Sequence, residues 1–123
     1  MSEKLKVSKK NSDNLDFLSN KLNLKRNIIC RLAIGKSLKK EESISKYKYE
    51  DNNGYEFNKY TITANNDLLY YCLVNQHEGR RVSEEKYFSH YLRKHIERGV
   101  EIMKYEYERV NSPIDYIVGL SVN

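Results

Sequence analysis

Cysteine and histidine are the residue types with which this chain could perform nucleophilic or metal chemistry, and it contains two of the first and three of the second. Cys30 and Cys72 form no Cys-x-x-Cys motif, and His77, His90 and His95 include no i, i+4 pair. A zinc site needs clustered ligands, and a nucleophilic thiol needs a neighbouring base. No phosphate-binding loop or paired carboxylate arrangement is present either. We therefore predict no catalytic residue, no metal site and no cofactor.

The patterns around these residues favour burial rather than reactivity. Cys30 belongs to residues 28–38, whose apolar side chains point in every direction around a helix, and this is typical of a central element. Cys72 lies on an apolar stripe within residues 69–76. We expect both thiols to be buried in the core. We expect His95 to be a hydrogen-bonded core histidine, with a contact across a subunit interface as the alternative.

Basic residues are concentrated in the first third of the chain. Residues 1–40 hold eleven Lys and Arg against three Asp and Glu, whereas residues 41–123 hold eleven against fourteen, for a net charge of +5. An AT-rich coding sequence would add lysine everywhere, but it would not keep acids out of the first third. This asymmetry is typical of a surface that binds a polyanion, the alternative being an ordinary solvated surface. The residues predicted to contact DNA are Lys9, Lys10, Lys21, Lys25, Arg26, Lys36, Lys39 and Lys40.

The elements that would carry these charges are a short extended segment and two helices. Residues 5–8 alternate apolar and polar side chains, which predicts a short strand or an ordered arm. Asn11 and Ser12 are candidate N-caps of a first helix that ends at Asn23. A second helix is predicted over residues 27–38, with its charges mainly at its two ends.

The middle of the chain is more polar. Residues 41–54 are predicted to form an exposed connection, and residues 55–64, rich in aromatic and β-branched side chains, a short extended segment. A third helix is expected to begin at a cap within residues 65–67 and to end near Gly79.

A long fourth helix is predicted from Ser83 to Glu108, because its apolar residues recur at i, i+3, i+4 and i+7. Its apolar face is formed by Phe88, Tyr91, Leu92, His95, Ile96, Gly99, Ile102 and Met103. Glycine lowers helix stability at such a position, so Gly99 is expected to admit a second helix at close range, and Gly35 is interpreted in the same way.

Three strings in order resemble the family of the DNA sulfur modification protein DndE. They are residues 24–33 (LKRNIICRLA), residues 54–62 (GYEFNKYTI) and residues 95–99 (HIERG). The family belongs to the bacterial system that replaces a non-bridging phosphate oxygen of DNA with sulfur, and the resemblance covers roughly residues 5 to 105. Lys25 and Arg26 stand where members typically have Thr-Pro, which removes an N-cap and N1 pair from the second helix.

The resemblance implies a small, mainly α protein with a ribbon-helix-helix-like N-terminal part and a long C-terminal helix. It implies a homo-oligomer, expected to be a tetramer, that binds double-stranded DNA through basic surface residues. The implied partners are the other DNA sulfur modification proteins, including the sulfur-transfer protein and the ATPase. No catalytic residue is implied. The expected organisation is one domain over residues 1–110 and a C-terminal tail over residues 111–123.

The N-terminus has no secretory signal pattern, and no apolar stretch approaches the length of a membrane span, which predicts a cytoplasmic protein.

We predict a structural ion pair between Arg31 and Glu56. If the first strand formed a ribbon with a second chain, Lys4 and Lys6 would face a DNA groove.

Three functional hypotheses follow. The first is a non-catalytic DNA-binding accessory subunit of the phosphorothioation machinery. The second is an assembly scaffold for the other modification proteins with little DNA affinity. The third is a ribbon-helix-helix-type transcriptional regulator.

Overall fold

The protein, as described by a computed structural model over residues 3–122, is mostly helical, so the predicted fold class is confirmed. The elements in chain order are β1 (Lys4–Lys6), α1 (Lys9–Leu22), α2 (Arg26–Leu38), a 3₁₀ turn (Ile44–Lys46), β2 (Glu56–Asn58), α3 (Lys59–Thr63), α4 (Asp67–Glu78), α5 (Glu84–Lys86), a π-helical turn (Tyr87–Leu92), α6 (Arg93–Tyr107) and α7 (Pro113–Val122). The N-terminal order of strand, helix and helix is the order expected for the ribbon-helix-helix-like part.

The β1 strand finds its partner in the same chain. It pairs antiparallel with β2, and Leu5 lies opposite Phe57. Leu5 is buried while Lys4 and Lys6 are exposed, because successive side chains of a strand point to opposite faces. The Lys4 ammonium lies 3.6 Å from Glu56, so one of the two lysines is placed against an acid of β2.

Helix α1 begins earlier than its sequence suggests. The N-cap is Ser8, whose hydroxyl accepts a hydrogen bond from the Asn11 amide at 3.3 Å, so the prediction of Asn11 or Ser12 as the cap is wrong. Both predicted caps lie inside the helix, buried, where their side chains make long-range contacts instead. Asn23, in the left-handed conformation, ends the helix as predicted.

Residues 59–63 form α3 rather than the extended segment predicted from their side chains. The Asn58 side chain accepts a hydrogen bond from the Thr61 amide at 2.8 Å, which supplies an N-cap that β propensity does not take into account. The preceding connection is also less loose than expected, because Ile44 is fully buried and the carboxylate of Glu78 accepts a hydrogen bond from its amide at 2.9 Å.

Helix α4 buries the face opposite to the predicted one. Val74 is fully buried, and the Tyr71 hydroxyl donates to the Val82 carbonyl at 2.8 Å. Leu69 is 56% exposed and Cys72 is also exposed, so the predicted stripe faces outward. Which face of a weakly amphipathic helix is covered depends on its neighbours, which a periodicity cannot identify.

The centre of the molecule is the packing of α2 against α6. A Cβ on Gly99 would lie only 1.8 Å from the carbonyl oxygen of Ala33, so the close helix approach predicted for Gly99 is confirmed, with α2 of the same chain as the second helix. The same interpretation of Gly35 is wrong within this chain, because no atom lies within 4 Å of its would-be Cβ. The long apolar face is confirmed, with Phe88, Leu92 and the inner side of α6 buried.

Candidate nucleic-acid interface

The two thiols occupy opposite environments. Cys30 is fully buried in the core as predicted, and burial raises its pKa to about 12, which leaves it a protonated, inert thiol. Cys72 is exposed, and the prediction that it is buried is wrong because α4 turns its other face to the core. Among residues 3–122, no group of three or more His, Cys, Asp or Glu side chains is arranged to hold a metal ion.

His95 is a core histidine, as predicted. Its Nδ1 is hydrogen-bonded to the Ser37 hydroxyl at 2.8 Å, and its ring meets the His77 ring edge-on at 5.1 Å between centroids. Burial lowers the His95 pKa to about 3, with the nearby His77 and Arg98 acting in the same direction. The imidazole is therefore neutral near neutral pH and links α6 to the end of α2.

Glu97 belongs to a buried polar network that sequence reasoning did not identify. Its carboxylate accepts hydrogen bonds from the Ser8 amide at 2.9 Å, the Ser8 hydroxyl at 2.6 Å and the Asn11 side chain at 2.7 Å. Arg93 forms an ion pair with the same carboxylate at 3.0 Å and donates to the Asp51 carbonyl at 2.5 Å. This network joins α6 to the start of α1 and to the connection before β2.

Arg98 plays a comparable role at the end of α2. It donates to the Ser37 carbonyl at 2.7 Å, to the Ser37 hydroxyl at 2.8 Å and to the Glu42 carbonyl at 2.9 Å. These bonds satisfy carbonyl groups at and beyond a helix C-terminus, which lack intrahelical partners. The string of residues 95–99 thus has a structural role, since each polar member fixes a neighbouring element to α6.

Arg31 is structural, but its partner is not the predicted one. It donates to the Ile62 carbonyl at 2.8 Å and to the Thr61 carbonyl at 3.1 Å, at the end of α3. Glu56 instead lies beside Lys4, so the predicted ion pair between Arg31 and Glu56 is wrong. Because residues 59–63 form a helix, the carbonyl groups at the end of that helix are available to the guanidinium of Arg31. The prediction of an extended segment did not include this partner.

The eight residues predicted to contact DNA are divided among three places. The first is the start of α1, where Lys9 is 2.8 Å from Asp13 and Lys10 is 2.9 Å from Glu101. These ion pairs reduce the net positive charge at this place.

The second place is the turn between α1 and α2, and we call Lys21, Lys25 and Arg26 the turn cluster. Arg26 is 2.8 Å from Asp16 and lies over the Tyr55 ring at 4.3 Å, so its guanidinium is held in position. Lys25 occupies the N-cap position of α2 without a side-chain cap hydrogen bond, as expected from the missing Thr-Pro pair.

The third place is the end of α2. Lys94 of α6 reaches the connection by donating to the Ser45 carbonyl at 3.3 Å, which puts it next to Lys46. Sequence reasoning did not include Lys46 and Lys94 among the candidate DNA contacts, because both lie in the acidic part of the chain. The available signal was the helical spacing that places Lys94 one turn before Arg98 on the same side of α6. Lys46 and Lys94 thus lie at the connection, whereas Lys36, Lys39 and Lys40 line one groove beside α6, and we call these three lysines the α2 C-terminal cluster.

Acids are present beside this cluster as well. Lys36 is 3.0 Å from Glu106, and both line a shallow groove between α2 and α6 together with Lys39 and Lys40. Glu42 is exposed in the connection that follows. The cluster is therefore a basic surface with a carboxylate along its α6 edge.

A family model for DNA sulphur modification protein DndE matches residues 4–111. The chain belongs to the DndE family. No curated protein is similar enough to the chain to count as a match. The match covers all three strings and associates the chain with DNA sulphur modification. Helix α7 lies beyond the matched residues.

The DndE family match also gives a context for the buried contacts. Arg31 of the first string joins α2 to the end of α3, and in the third string Glu97 joins α6 to the start of α1 and Arg98 joins α6 to the end of α2. No helix in residues 3–122 has both the length and the apolar character to cross a membrane.

Proposed function

We propose that the chain is a non-catalytic, DNA-binding accessory subunit of the DNA sulphur modification machinery. It would hold duplex DNA through phosphate contacts while larger partners carry out the sulphur chemistry. The observation that supports this most is the α2 C-terminal cluster, in which three lysines at the end of α2 line one groove beside α6. Family membership supplies the cellular context.

Phosphate binding suits this surface better than base reading. Lysine is a flexible point charge that neutralises phosphates without reading sequence. Base-specific contacts would need amide or guanidinium side chains arranged to enter a groove. The exposed side chains of Lys39 and Lys40 offer charge without such an arrangement. The turn cluster, about 20 Å away along the 13 residues of α2, provides a second place for phosphate contacts.

A non-catalytic role agrees with the chemistry of the described residues. The thiol of Cys30 is buried, and the imidazole of His95 is packed inside the core with a low pKa. The thiol of Cys72 is exposed, but within residues 3–122 it makes no hydrogen bond to a base. Catalysis by a thiol would require an exposed thiolate with a base beside it. We also propose that the protein acts in the cytoplasm, as a homo-oligomer, next to the sulphur-transfer protein and the ATPase.

The scaffold hypothesis remains the second candidate, because one observation favours it. Leu68 and Leu69 on the outward face of α4 are 74% and 56% exposed, and Ile114 on α7 is 71% exposed. Adjacent exposed apolar side chains such as Leu68 and Leu69 are typical of protein contacts. No specific observation favours the regulator hypothesis, because β1 pairs with β2 of its own chain along one edge only, and this does not bear on a partner's strand at the other edge.

The test is a fluorescence-anisotropy titration with a random-sequence duplex at two salt concentrations. The cluster variant carries Lys36→Gln, Lys39→Gln and Lys40→Gln. The matched control removes three exposed charges at and just before α5, with Arg80→Gln, Arg81→Gln and Lys86→Gln. We expect the slope of log affinity against log salt to fall by about 0.9 for each phosphate that the cluster variant no longer neutralises. The control should keep the wild-type slope.

The outcomes separate the hypotheses. Salt-sensitive binding that is abolished in the cluster variant, with an unchanged circular dichroism spectrum, supports the DNA-binding subunit. Absence of binding at low salt, together with loss of assembly with the sulphur-transfer protein in a Leu68→Ser, Leu69→Ser variant, supports the scaffold. A footprint limited to one promoter sequence supports the regulator.

A further inference from the structure

Glu106 links the last helix, α7, to the α2 C-terminal cluster. One oxygen of its carboxylate, Oε1, lies 3.0 Å from the Lys36 ammonium and accepts a hydrogen bond from the Tyr116 hydroxyl at 2.9 Å. Lys36 comes from α2, Glu106 from α6 and Tyr116 from α7. A single carboxylate therefore connects a candidate DNA-binding lysine to the element that lies beyond the family match.

Tyr116 is held firmly enough to fix this carboxylate. It is buried, and its ring meets the Tyr107 ring edge-on at 5.9 Å between centroids; Tyr107 in turn meets the Phe17 ring edge-on at 5.6 Å. Such aromatic pairs add stability beyond their buried area. Burial also raises the Tyr116 pKa, so the hydroxyl keeps the proton that it donates to Glu106.

Lys36 is correspondingly withdrawn from solvent. Its side chain is 14% exposed, whereas that of Lys10, also paired with α6, is 50% exposed. Lys36 and Glu106 border two adjoining grooves, one with Lys39 and Lys40 and the other with Asp115 and Tyr116 of α7. The second groove brings another carboxylate to the same edge of the cluster.

From this geometry we propose that α7 and Glu106 act as an intramolecular acidic cover, which occupies Lys36 and weakens the binding of DNA phosphates to the α2 C-terminal cluster. A phosphate that approaches Lys36 must displace Glu106 and is repelled by it. When a partner moves α7 away, the cover is released and Lys36 becomes available to a DNA phosphate. This proposal rests on the proposed DNA-binding function and adds a regulation of the same surface.

The test compares two substitutions at neighbouring positions. Glu106→Gln removes the covering charge. Glu108→Gln is the control, because it removes an equal charge two positions away, where the carboxylate is 3.0 Å from Lys104 and not from the cluster. Both are measured in the full chain by anisotropy with a random-sequence duplex at several salt concentrations.

We expect Glu106→Gln to raise DNA affinity at low salt roughly two- to fivefold more than Glu108→Gln does, the scale of a partly exposed ion pair. The salt slope should steepen by about 0.9, which corresponds to one more neutralised phosphate. Tyr116→Phe, which removes the hydroxyl but keeps the ring packing, should give a smaller change in the same direction. Equal effects of the two glutamate substitutions would overturn the cover.

Failure of the cover and failure of the proposed function give different results. If the wild-type chain binds DNA with salt sensitivity but Glu106→Gln matches Glu108→Gln, only the cover is wrong. If neither the wild-type chain nor Glu106→Gln binds at low salt, the proposed function is wrong and the cover falls with it. Binding that appears only in Glu106→Gln supports both.

Discussion

Glu97 accepts two hydrogen bonds from Ser8, one from its amide at 2.9 Å and one from its hydroxyl at 2.6 Å, across 89 positions of sequence. Ser8 is also the N-cap of α1. The long C-terminal helix therefore holds the cap of the first helix in place. This relationship gives the string of residues 95–99 a structural role, since its central acid fixes the orientation of α1, which carries Lys9 and Lys10.

Replacing Glu97 tests how much this network contributes to stability. Glu97→Ala leaves the Arg93 guanidinium buried without its carboxylate, together with three donors at the start of α1. Removing one partner of a buried pair costs about 3–5 kcal/mol, so we expect a loss of that size in urea unfolding. Glu85→Ala, at an exposed position, is the control and should change stability little. A Glu97→Ala protein as stable as the control would contradict the role of the network.

Gly99 and Gly35 form a matched pair of glycines on facing helices. Gly99→Ala would bring a methyl group against the backbone of Ala33, and we expect a loss on the order of 1–3 kcal/mol by overpacking. Gly35→Ala has open space, and alanine should stabilise the helix by about 0.5–1 kcal/mol. Thermal unfolding of both variants measures the difference. A Gly99→Ala protein as stable as the wild type would contradict the close approach of α2 and α6.

His95 should make stability depend on pH. Burial lowers its folded-state pKa from 6.5 to about 3, with His77 and Arg98 adding to the shift and Glu78 opposing it. The unfolded chain therefore binds the proton first, and stability falls as pH falls below about 6.5 towards 3. We expect this decrease in urea unfolding between pH 7 and pH 5, where few carboxylates titrate.

A His95→Gln variant provides the comparison. It should be less stable at neutral pH, but it should lack most of the change in stability between pH 7 and pH 5. His90→Gln, at an exposed position, should keep the wild-type dependence. If His95→Gln and the wild-type protein lose stability in parallel over this interval, another group is responsible.

The uncapped start of α2 offers a stabilising substitution. Lys25 has the extended backbone of an N-cap residue, with φ −67° and ψ 151°, but no side-chain cap hydrogen bond. Lys25→Thr should add this bond and raise stability by about 1 kcal/mol. Lys25→Ala, which removes the same charge without providing a cap, is the control in thermal unfolding. If DNA binding weakens equally in both variants, the effect on binding is due to the charge.

Several features were predictable because they are local. The buried face of the long helix follows from a 3.6-residue period between Phe88 and Met103, and the end of α4 follows from the freedom of Gly79 to adopt a positive φ. Burial of Cys30 follows from an apolar pattern all around α2. Each of these signals is contained within a few turns of chain.

Other features required contacts that no local pattern contains. The helical state of residues 59–63 depends on the Asn58 cap and on Arg31, which reaches their end from α2. The exposure of Cys72 depends on which side of α4 its neighbours cover. The contact of Lys94 with the Ser45 carbonyl depends on how α6 lies beside the connection.

The sequence by itself determined the fold class, the family and the presence of an unusual basic charge in the first third, because periodicity, composition and motif order are properties of the chain as written. Only the tertiary structure decided which lysines share a groove, which acid pairs with Lys36 and how Glu97 holds Ser8. These outcomes depend on long-range packing, in which residues 89 positions apart become hydrogen-bond partners.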